Sequence, residues 1–392
     1  MAELNSVLPH NSIISWDNNA VIAELPYDPE KINQLHSQLG GTLKICKIHT
    51  HVLGNNQSNL TELLEKNIPL LLTQALNRQT GKRRFGISIY PLSHKNKKIL
   101  KNILIFSKKK LKNTGNIRFV NKNFDNISTI QILAEHLTKP EKGVELIIID
   151  TEKSILIGQT ISSQNIQSYA KRDYEKPERD AKSGMLPPKL AQIMLNLAKP
   201  FIKTKTATIY DPFCGTGTIL GEALLQGYPI IGSDKDEKAV RQTQTNLAWL
   251  EKEFKNNSKC PSKIFKHPIE KPLPLELANT VDAVVTESYL GPALKRKPTD
   301  DDIRKISEML ISIHLTFFEN IHRILKPDTP VVISFPVFGN LRYAQISHIE
   351  QQIEKIGFEK ANPLPNTIES QPLIYQRPDQ NVGREIQILL KK

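Results

Sequence analysis

The sequence is short of cysteine and of long apolar runs. Its 392 residues include three cysteines, Cys46, Cys214 and Cys260, and their odd number and wide spacing predict neither a disulfide framework nor a zinc site. No apolar run approaches the roughly 20 residues that span a bilayer, and the N-terminus lacks the basic-then-apolar order of a signal peptide. We therefore expect a soluble, cytoplasmic protein with no membrane partner and no metal.

Acidic residues are absent from a long stretch of the N-terminal half. Between positions 66 and 124 there is no Asp or Glu, whereas Lys and Arg occupy 15 positions, and the net charge of the whole chain is +13. Strand-like runs are interleaved with these basic residues, so the charge belongs to folded structure. The pattern predicts salt-sensitive binding of a polyanion. An anionic membrane surface and a merely solvated basic face are the alternatives. The predicted contact residues are Lys82, Arg83, Arg84, Lys108, Lys109, Lys110 and Lys112.

A glycine turn joins a β-prone run to a helix-prone run. The β-prone residues 206–210 are followed by Asp211, and Gly215 and Gly217 then turn the chain into a helix. Such a turn lets the backbone approach a ligand and directs unpaired N–H groups towards it. Asp234 closes the next apolar run, where an acid that binds a ribose is expected about 20 residues after the turn. The pattern predicts a nucleotide-type cofactor site, and the glycine spacing alone leaves a nicotinamide dehydrogenase open.

The string Asp-Pro-Phe-Cys-Gly-Thr-Gly-Thr at positions 211–218 resembles motif I of S-adenosylmethionine (SAM) methyltransferases that modify exocyclic amines of nucleic-acid bases. The resemblance implies that SAM is the cofactor, that the glycines lie against its methionine part and that Asp234 binds its ribose. Cys214 is interpreted as a small packing residue, because no activating His or basic residue is adjacent. The cofactor-binding positions on this loop and the next strand are Asp211, Phe213, Cys214, Gly215, Thr216, Gly217 and Asp234.

A polar segment precedes the glycine turn. Residues 168–188 read as a linker that ends in two prolines, which are well placed to open a helix. Residues 179–191 resemble motif X of the THUMP-containing tRNA guanine-N2 methyltransferases, which closes over the methionine end of SAM. The resemblance assigns Met185, Leu186 and Pro187 to the cofactor site.

The predicted catalytic segment follows the strand at 281–285. An exocyclic amine conjugated to its ring is a poor nucleophile, so the site must accept its N–H bonds and hold the base by stacking, while proximity to the methyl group supplies most of the acceleration. Amine methyltransferases place Asp/Asn-Pro-Pro-Tyr/Phe here, at the carboxyl end of a strand. In this chain Glu287 is the predicted acceptor, Ser288 follows it and Tyr289 is the predicted stacking ring.

This segment, motif IV of the family, departs from the pattern because both prolines are missing. The departure leaves the geometry and the target base open, and an inactive or repurposed domain is an alternative. At the preceding strand, Glu270 is a candidate for the adenine amine of SAM, with a structural loop role as the alternative. His267 is not assigned as a base, because an amine that loses its proton after transfer needs no strong one.

Beyond motif I the chain alternates strands and helices, as a doubly wound sheet does. The predicted fold is α/β, with a C-terminal Rossmann-like SAM methyltransferase domain preceded by small α+β ferredoxin-like and THUMP-like RNA-binding domains. The predicted segments are a ferredoxin-like segment at 1–58, a THUMP-like domain at 59–165, a linker with motif X at 166–186 and the methyltransferase domain at 187–392.

Taken together, the chain resembles the archaeal and eukaryotic tRNA guanosine-10 N2-methyltransferases, with motifs X and I as the specific part. The resemblance implies methyl transfer from SAM to guanine N2 of tRNA by a monomer, with a small activator subunit as a further candidate partner. A DNA N6-adenine or N4-cytosine methyltransferase, a ribosomal RNA guanine-N2 methyltransferase and a non-catalytic RNA-binding factor are the alternatives.

Overall fold

The computed structural model divides into two compact units. The C-terminal unit comprises Met1–Pro9, Gln38–Gly41 and Tyr169–Lys392, and the N-terminal unit comprises His10–Ser37 and Thr42–Ser168. The first 58 residues contribute to both units. The structure describes residues 1–17, 20–53, 60–77, 83–112, 116–151, 154–179, 185–204, 206–254, 260–294, 296–364, 371–377 and 380–392.

Helices and strands alternate along most of the described chain. The helices are α1 (Ala2–Val7), α2 (Pro29–Ser37), α3 (Leu60–Leu76), α4 (His94–Lys110), α5 (Thr129–Ala134), α6 (Ile166–Ala170), α7 (Pro188–Ala198), α8 (Thr218–Leu225), α9 (Glu237–Glu253), α10 (Asp300–His322), α11 (Tyr343–Ile346) and α12 (Ile349–Ile356). The strands are β1 (Ile13–Trp16), β2 (Val21–Ala23), β3 (Lys44–Leu53), β4 (Arg83–Tyr90), β5 (Ile117–Phe119), β6 (Val144–Asp150), β7 (Ser154–Ser163), β8 (Ile209–Asp211), β9 (Ile230–Asp234), β10 (Ser262–Lys266), β11 (Ala283–Glu287), β12 (Pro330–Phe338), β13 (Leu341–Arg342), β14 (Phe358–Lys360), β15 (Leu373–Tyr375) and β16 (Gly383–Lys391). Within these described ranges, none of the helices has the length and apolar character needed to cross a bilayer.

The C-terminal unit is built on one large sheet with the strand order β10-β9-β8-β11-β12-β16-β14. The strands from β10 to β12 are parallel, whereas β16 is antiparallel to both β12 and β14. The chain leaves β8 towards β9 and β10 and returns on the other side of β8 as β11, so the strand order reverses beside β8. Open α/β sheets bind their ligands at the carboxyl ends of strands at such a reversal.

The central strands alternate between two apolar cores. Val284 and Val331 point into a core that includes α10 and α12, whereas Val285 and Val332 point into a core that includes α7 and α8. Because both faces of the sheet are covered, these strands are apolar throughout. The predicted doubly wound α/β fold is therefore confirmed.

The N-terminal helix α1 also belongs to this unit. Glu3 is buried, and its carboxylate accepts hydrogen bonds from the backbone N–H groups of Gly40 at 2.7 Å and Gly41 at 2.9 Å and from the Asn196 side chain at 2.7 Å. A Cβ atom at Gly40 would lie 2.2 Å from the carbonyl oxygen of Lys189. The glycine pair thus allows close approach of the chain to α7.

The N-terminal unit contains a five-stranded sheet in the order β3-β7-β6-β4-β5. β6 and β7 form an antiparallel pair, and β4 is parallel to both β5 and β6. Helices α3 and α4, which the sequence did not predict, pack against this sheet through apolar residues at helical spacing. The described residues of the acid-free segment are therefore folded, as its interleaved strands predicted.

A buried carboxylate joins four strands of this sheet. Glu145 on β6 is fully buried and accepts hydrogen bonds from the Lys44 ammonium of β3, the Ser88 hydroxyl of β4 and the Thr160 hydroxyl of β7, each at 2.6 Å. A carboxylate is tolerated in such an environment when its charge is paired and its lone pairs are occupied. The three donors meet both conditions.

We expect Glu145→Gln to lower the free energy of unfolding by about 3–5 kcal/mol, because the change leaves the buried Lys44 ammonium without its counter-charge. Glu135→Gln is the matched control in the same unit, since Glu135 pairs with the partly exposed Arg118 at 2.7 Å. Removal of such a surface pair costs about 1 kcal/mol or less. Chemical denaturation measures both variants, and equal decreases in stability would contradict the assignment.

Candidate active site

The glycine loop lies where the strand order of the C-terminal sheet reverses. β8 ends at Asp211 and α8 begins at Thr218. Gly215 and Gly217 have φ angles of 52° and 80°, in the left-handed region that favours glycine. A Cβ atom at Gly217 would also lie 2.9 Å from the Thr243 side chain. Position 217 therefore requires glycine for its backbone conformation and for space.

Asp211 is buried at the base of this loop, with 2% of its surface exposed. Its carboxylate accepts hydrogen bonds from the Phe213 N–H at 3.1 Å and the Thr286 hydroxyl at 2.6 Å. Burial raises the pKa of Asp211 to about 7, the two hydrogen bonds act in the opposite direction, and the negative charges of Asp234 and Glu287 raise it further. A carboxyl group with such a pKa ionises readily beside a positively charged ligand.

Asp234 ends β9 and holds the loop in place. One of its carboxylate oxygens accepts the Gly215 N–H at 3.0 Å, and the other accepts the Asp236 N–H at 2.9 Å. Asp234 remains partly exposed. Because an ionised carboxylate has about four acceptor sites, these two bonds leave capacity for the hydroxyl groups of a ligand.

Other predicted loop residues face the protein. Cys214 is 4% exposed, and burial raises the pKa of its thiol, which disfavours the nucleophilic thiolate. The Phe213 ring packs with its centroid 5.6 Å from that of Phe317. The Thr216 hydroxyl accepts a hydrogen bond at 3.3 Å from the ammonium of Lys176, a buried residue that sequence reasoning did not select.

The predicted motif X residues stand just before α7. Leu186 and Pro187 are buried, and Leu186 belongs to the core around α7 and α8. Met185 is partly exposed and is therefore the one of the three with surface available to a ligand. Positions 180–184 of the same motif lie outside the described residues.

His267 and Glu270 lie in the loop that follows β10. The ring Nε2 of His267 lies 3.2 Å from the carbonyl oxygen of Lys271, within its own loop. Glu270 is exposed, and its contact with adenine stays a prediction. Across the described ranges, no group of His, Cys, Asp and Glu side chains could hold a metal ion.

Glu287 ends β11 and forms an ion pair with Arg384 on β16, whose Nε donates to its Oε1. Burial raises the pKa of Glu287 and the guanidinium opposes that rise. Since an arginine stays charged in proteins, it favours the carboxylate form. Sequence reasoning missed Arg384 because 97 residues separate the partners. An arginine within an otherwise buried strand was the available signal, because such a charge requires a partner.

Ser288 and Tyr289 have different surroundings. Ser288 is 2% exposed, and its hydroxyl donates to the carbonyl oxygen of Ser334 on β12 at 2.7 Å. This bond anchors the turn to the neighbouring strand. Tyr289 is 38% exposed, and the Lys235 ammonium lies 5.6 Å from the centre of its ring. Of these two side chains, the tyrosine ring is the one that a ligand can reach.

The predicted RNA-contact residues that the structure describes lie on β4, on α4 and just after α4. Arg83 and Arg84 are partly exposed, and Arg84 lies 3.5 Å from Glu135. Lys82 falls outside the part of the chain that the structure describes. The exposed lysines on and just after α4 are Lys95, Lys98, Lys101, Lys108, Lys109, Lys110 and Lys112.

Residues 176–303 match the family model of the RMKL-like methyltransferase domain. The tRNA (guanine(10)-N2)-dimethyltransferase of Methanocaldococcus jannaschii is 33% identical over 183 residues, which cover 45% of this chain and 47% of that relative. The Pyrococcus abyssi protein of the same name is 27% identical over 158 residues, or 39% of this chain and 44% of the relative. The chain thus spans less than half the length of either relative.

The fold has solved counterparts along most of the chain. TrmN from Thermus thermophilus has a TM-score of 0.54 at 14% identity, covering 95% of this chain and 89% of that protein. A possible methylase from Clostridium difficile 630 has a TM-score of 0.50 at 12% identity, covering 92% and 87%. At such identities the likeness concerns the fold. Residues 176–303 thus match a methyltransferase domain, and most of the chain has the fold of these two solved proteins.

We expect Gly217→Ala to destabilise the protein more than Gly227→Ala does. The two glycines have φ angles of 80° and 85°, but nothing lies within 4 Å of a Cβ atom at Gly227. The left-handed conformation costs a non-glycine residue about 1–2 kcal/mol, and the clash with Thr243 adds to that cost at position 217 alone. Chemical denaturation measures both, and equal decreases in the free energy of unfolding would contradict the crowding.

Proposed function

We propose that the chain is a SAM-dependent RNA methyltransferase that acts on an exocyclic amine, guanine N2 of tRNA. One observation carries this function: Asp234, Asp211 and Glu287 are the last residues of β9, β8 and β11, three adjacent parallel strands. Their carboxylates stand at the reversal of strand order, where such folds bind ligands. The names of the archaeal relatives support tRNA as the substrate and guanine N2 as the target.

The three carboxylates and the glycine loop fit SAM. This cofactor carries a positive sulfonium, supplies an electrophilic methyl group and presents two ribose hydroxyls. Asp234 would accept hydrogen bonds from the ribose hydroxyls, because its two contacts with backbone N–H groups leave further acceptor sites on the carboxylate. Asp211 and Glu287 would provide negative potential near the sulfonium, and a cation favours the ionised form of Asp211. Gly215 and Gly217 would let the backbone approach the methionine part, and Met185 would cover it.

The residues after β11 suit the target base. Glu287 would accept an N–H bond of the amine and hold its nitrogen towards the methyl group, while the exposed ring of Tyr289 would stack on the base. Ser288 would act through the backbone, because its hydroxyl is bound to β12. Proximity then supplies most of the acceleration. Transfer of the methyl group would leave a positive charge on the amine nitrogen, and this cationic group is acidic enough to lose a proton to water.

The N-terminal unit would hold the RNA. Its exposed lysines on α4 present positive charge on a rigid helix, and they come from a segment without acidic residues. Neutralisation of phosphates by lysine releases counterions, which favours binding regardless of sequence. We assign residues 1–58 to a ferredoxin-like segment and residues 59–165 to a THUMP-like domain, on the basis of charge and position. A cytoplasmic monomer and a small activator subunit remain predictions.

Replacing Lys108, Lys109 and Lys110 by Gln is expected to weaken tRNA binding. The slope of log affinity against log salt concentration should fall by about 0.7–0.9 for each phosphate that the variant no longer neutralises, and SAM affinity should not change. Titration of labelled tRNA at several salt concentrations measures both the affinity and the slope.

The matched control removes the same charge from the C-terminal unit, by changing the exposed Lys355, Lys360 and Lys392 to Gln. It should leave the salt slope near that of the wild type. If the slope falls equally in both triple variants, the basic helix is a solvated face and general charge attracts the RNA.

Single-turnover methylation of unmodified tRNA with labelled SAM tests the acceptor. Glu287→Gln keeps an acceptor without the charge, and Glu287→Ala removes both, so rates should fall in the order wild type, Gln, Ala. Removal of a positioning hydrogen bond of this kind slows the reaction roughly a hundredfold or more. Circular dichroism checks that each variant is folded, because Arg384 also depends on Glu287. Full activity of Glu287→Ala would place the acceptor elsewhere.

The same assay separates the alternatives. Tyr289→Phe should retain more activity than Tyr289→Ala, because stacking uses the ring and not the hydroxyl. Methyl transfer to DNA or ribosomal RNA in place of tRNA would leave the enzyme class unchanged and would contradict the assignment of tRNA as the substrate. Tight binding of SAM and tRNA without any transfer would identify a non-catalytic factor.

A further inference from the structure

The ion pair at the end of β11 is asymmetric. The Arg384 side chain is 3% exposed, whereas that of Glu287 is 21% exposed. The two strands that carry them are not neighbours, because β12 lies between β11 and β16. The arginine therefore reaches across one strand to the carboxylate and leaves the carboxylate as the accessible half of the pair.

Given the proposed function, on which this inference rests, we propose that Arg384 is a positioning residue that fixes the ionised carboxylate of Glu287 at the sheet end where the target amine binds. Glu has one more rotatable bond than the Asp or Asn common at this position, and holding it in one orientation costs side-chain entropy. A buried guanidinium with a planar, directional set of donors provides that restraint before the substrate arrives.

The missing prolines of motif IV strengthen the case. Two prolines would stiffen the turn after the acceptor, but this chain has Ser288 and Tyr289 there. The Ser288 hydroxyl ties the turn to the Ser334 carbonyl at 2.7 Å, and Arg384 ties the acceptor side chain to β16. Two contacts, one with β12 and one with β16, thus perform the restraint that the prolines perform by covalent geometry.

The charge of Arg384 favours the ionised form of Glu287. Burial raises the pKa of Glu287, and Arg384 opposes that rise. A protonated carboxyl group donates a hydrogen bond and is a poorer acceptor for an amine N–H. The other titratable groups around this end are Asp211 on β8, Asp234 and Lys235 at the end of β9, and the buried His314 of α10, whose pKa burial lowers to about 3.

The next residue along β16 supplies a matched pair with the opposite asymmetry. Glu385 is 1% exposed and accepts a hydrogen bond at 2.9 Å from the Nε of Arg342, which is 23% exposed. Here the carboxylate is the more deeply buried partner, and the pair joins β13 to β16. Arg342→Gln therefore removes a similar ion pair without touching the acceptor.

The ionisation of Glu287 can be followed by carbon NMR of protein labelled at the glutamate carboxyl carbon, with its signal identified by its absence in Glu287→Gln. Arg384→Gln should move the midpoint of this titration to higher pH, because a positive charge that favours the carboxylate is removed. Arg384→Lys should keep the midpoint near that of the wild type, since it retains the charge, and it serves if Arg384→Gln does not fold. Arg342→Gln should leave the midpoint unchanged.

The pH profile of single-turnover methylation provides the functional readout. In Arg384→Gln the acidic limb should move to higher pH with the titration, so that the rate at neutral pH falls and recovers in alkaline buffer. If the acidic limb moves by about one pH unit, the rate falls about tenfold at any pH below the midpoints of both the wild type and the variant. Arg384→Lys should show a lower maximal rate with an unshifted limb, because it removes the directional hydrogen bonds and keeps the charge.

The outcomes separate this inference from the proposed function. An unchanged Glu287 titration and an unshifted acidic limb in Arg384→Gln would overturn the positioning role, even if the wild type methylates tRNA. A shifted titration in a protein that methylates no tRNA would overturn the proposed function and retain the control of Glu287 by Arg384. A shift of equal size in Arg342→Gln would also overturn the role.

Discussion

The structure of the C-terminal unit depends on placing three carboxylates together at one end of a buried parallel sheet. Asp234 and Glu287 repel the negative charge of Asp211, and burial adds to the cost of the charge on Asp211 and Glu287. Each is therefore held by a different kind of partner: a hydroxyl and a backbone N–H for Asp211, two backbone N–H groups for Asp234, and a guanidinium for Glu287. The negative potential that remains at this end suits a cationic cofactor.

These partners link the cofactor loop to the rest of the sheet. Thr286, whose hydroxyl donates to Asp211, directly precedes Glu287, so this contact links the glycine loop after β8 to the strand end that carries the proposed acceptor. Asp234 holds the loop from the other side through Gly215. A cofactor that displaced the glycine loop would thus also disturb the acceptor, and the two halves of the site are expected to be ordered together.

The sequence predicted the parts of this site that local spacing encodes. A glycine turn after a strand, an acid at the end of the next strand and an acid at the end of a third each follow from a short pattern. The doubly wound order followed from alternation of strands and helices. Pro188 begins α7, where the two prolines predicted a helix start.

Contacts between distant segments could not be predicted in this way. Arg384 lies 97 residues from Glu287, and no spacing rule joins the two. Helix α4 was missed because its lysines obscure the apolar spacing of its buried face. His348, with a φ of 51°, separates α11 from α12, and no local pattern in the sequence predicts that break. The roles of the site residues and the names of the N-terminal domains stay predictions.

The most direct measurement of the central claim is nucleoside mass spectrometry of tRNA from cells with and without this protein. If the carboxylates at the sheet end serve methyl transfer to a guanine amine, an N2-methylated guanosine should be missing from tRNA of cells that lack the protein, and expression of the wild type should restore it. An unchanged set of methylated guanosines in tRNA, or a change confined to DNA or ribosomal RNA, would contradict the account.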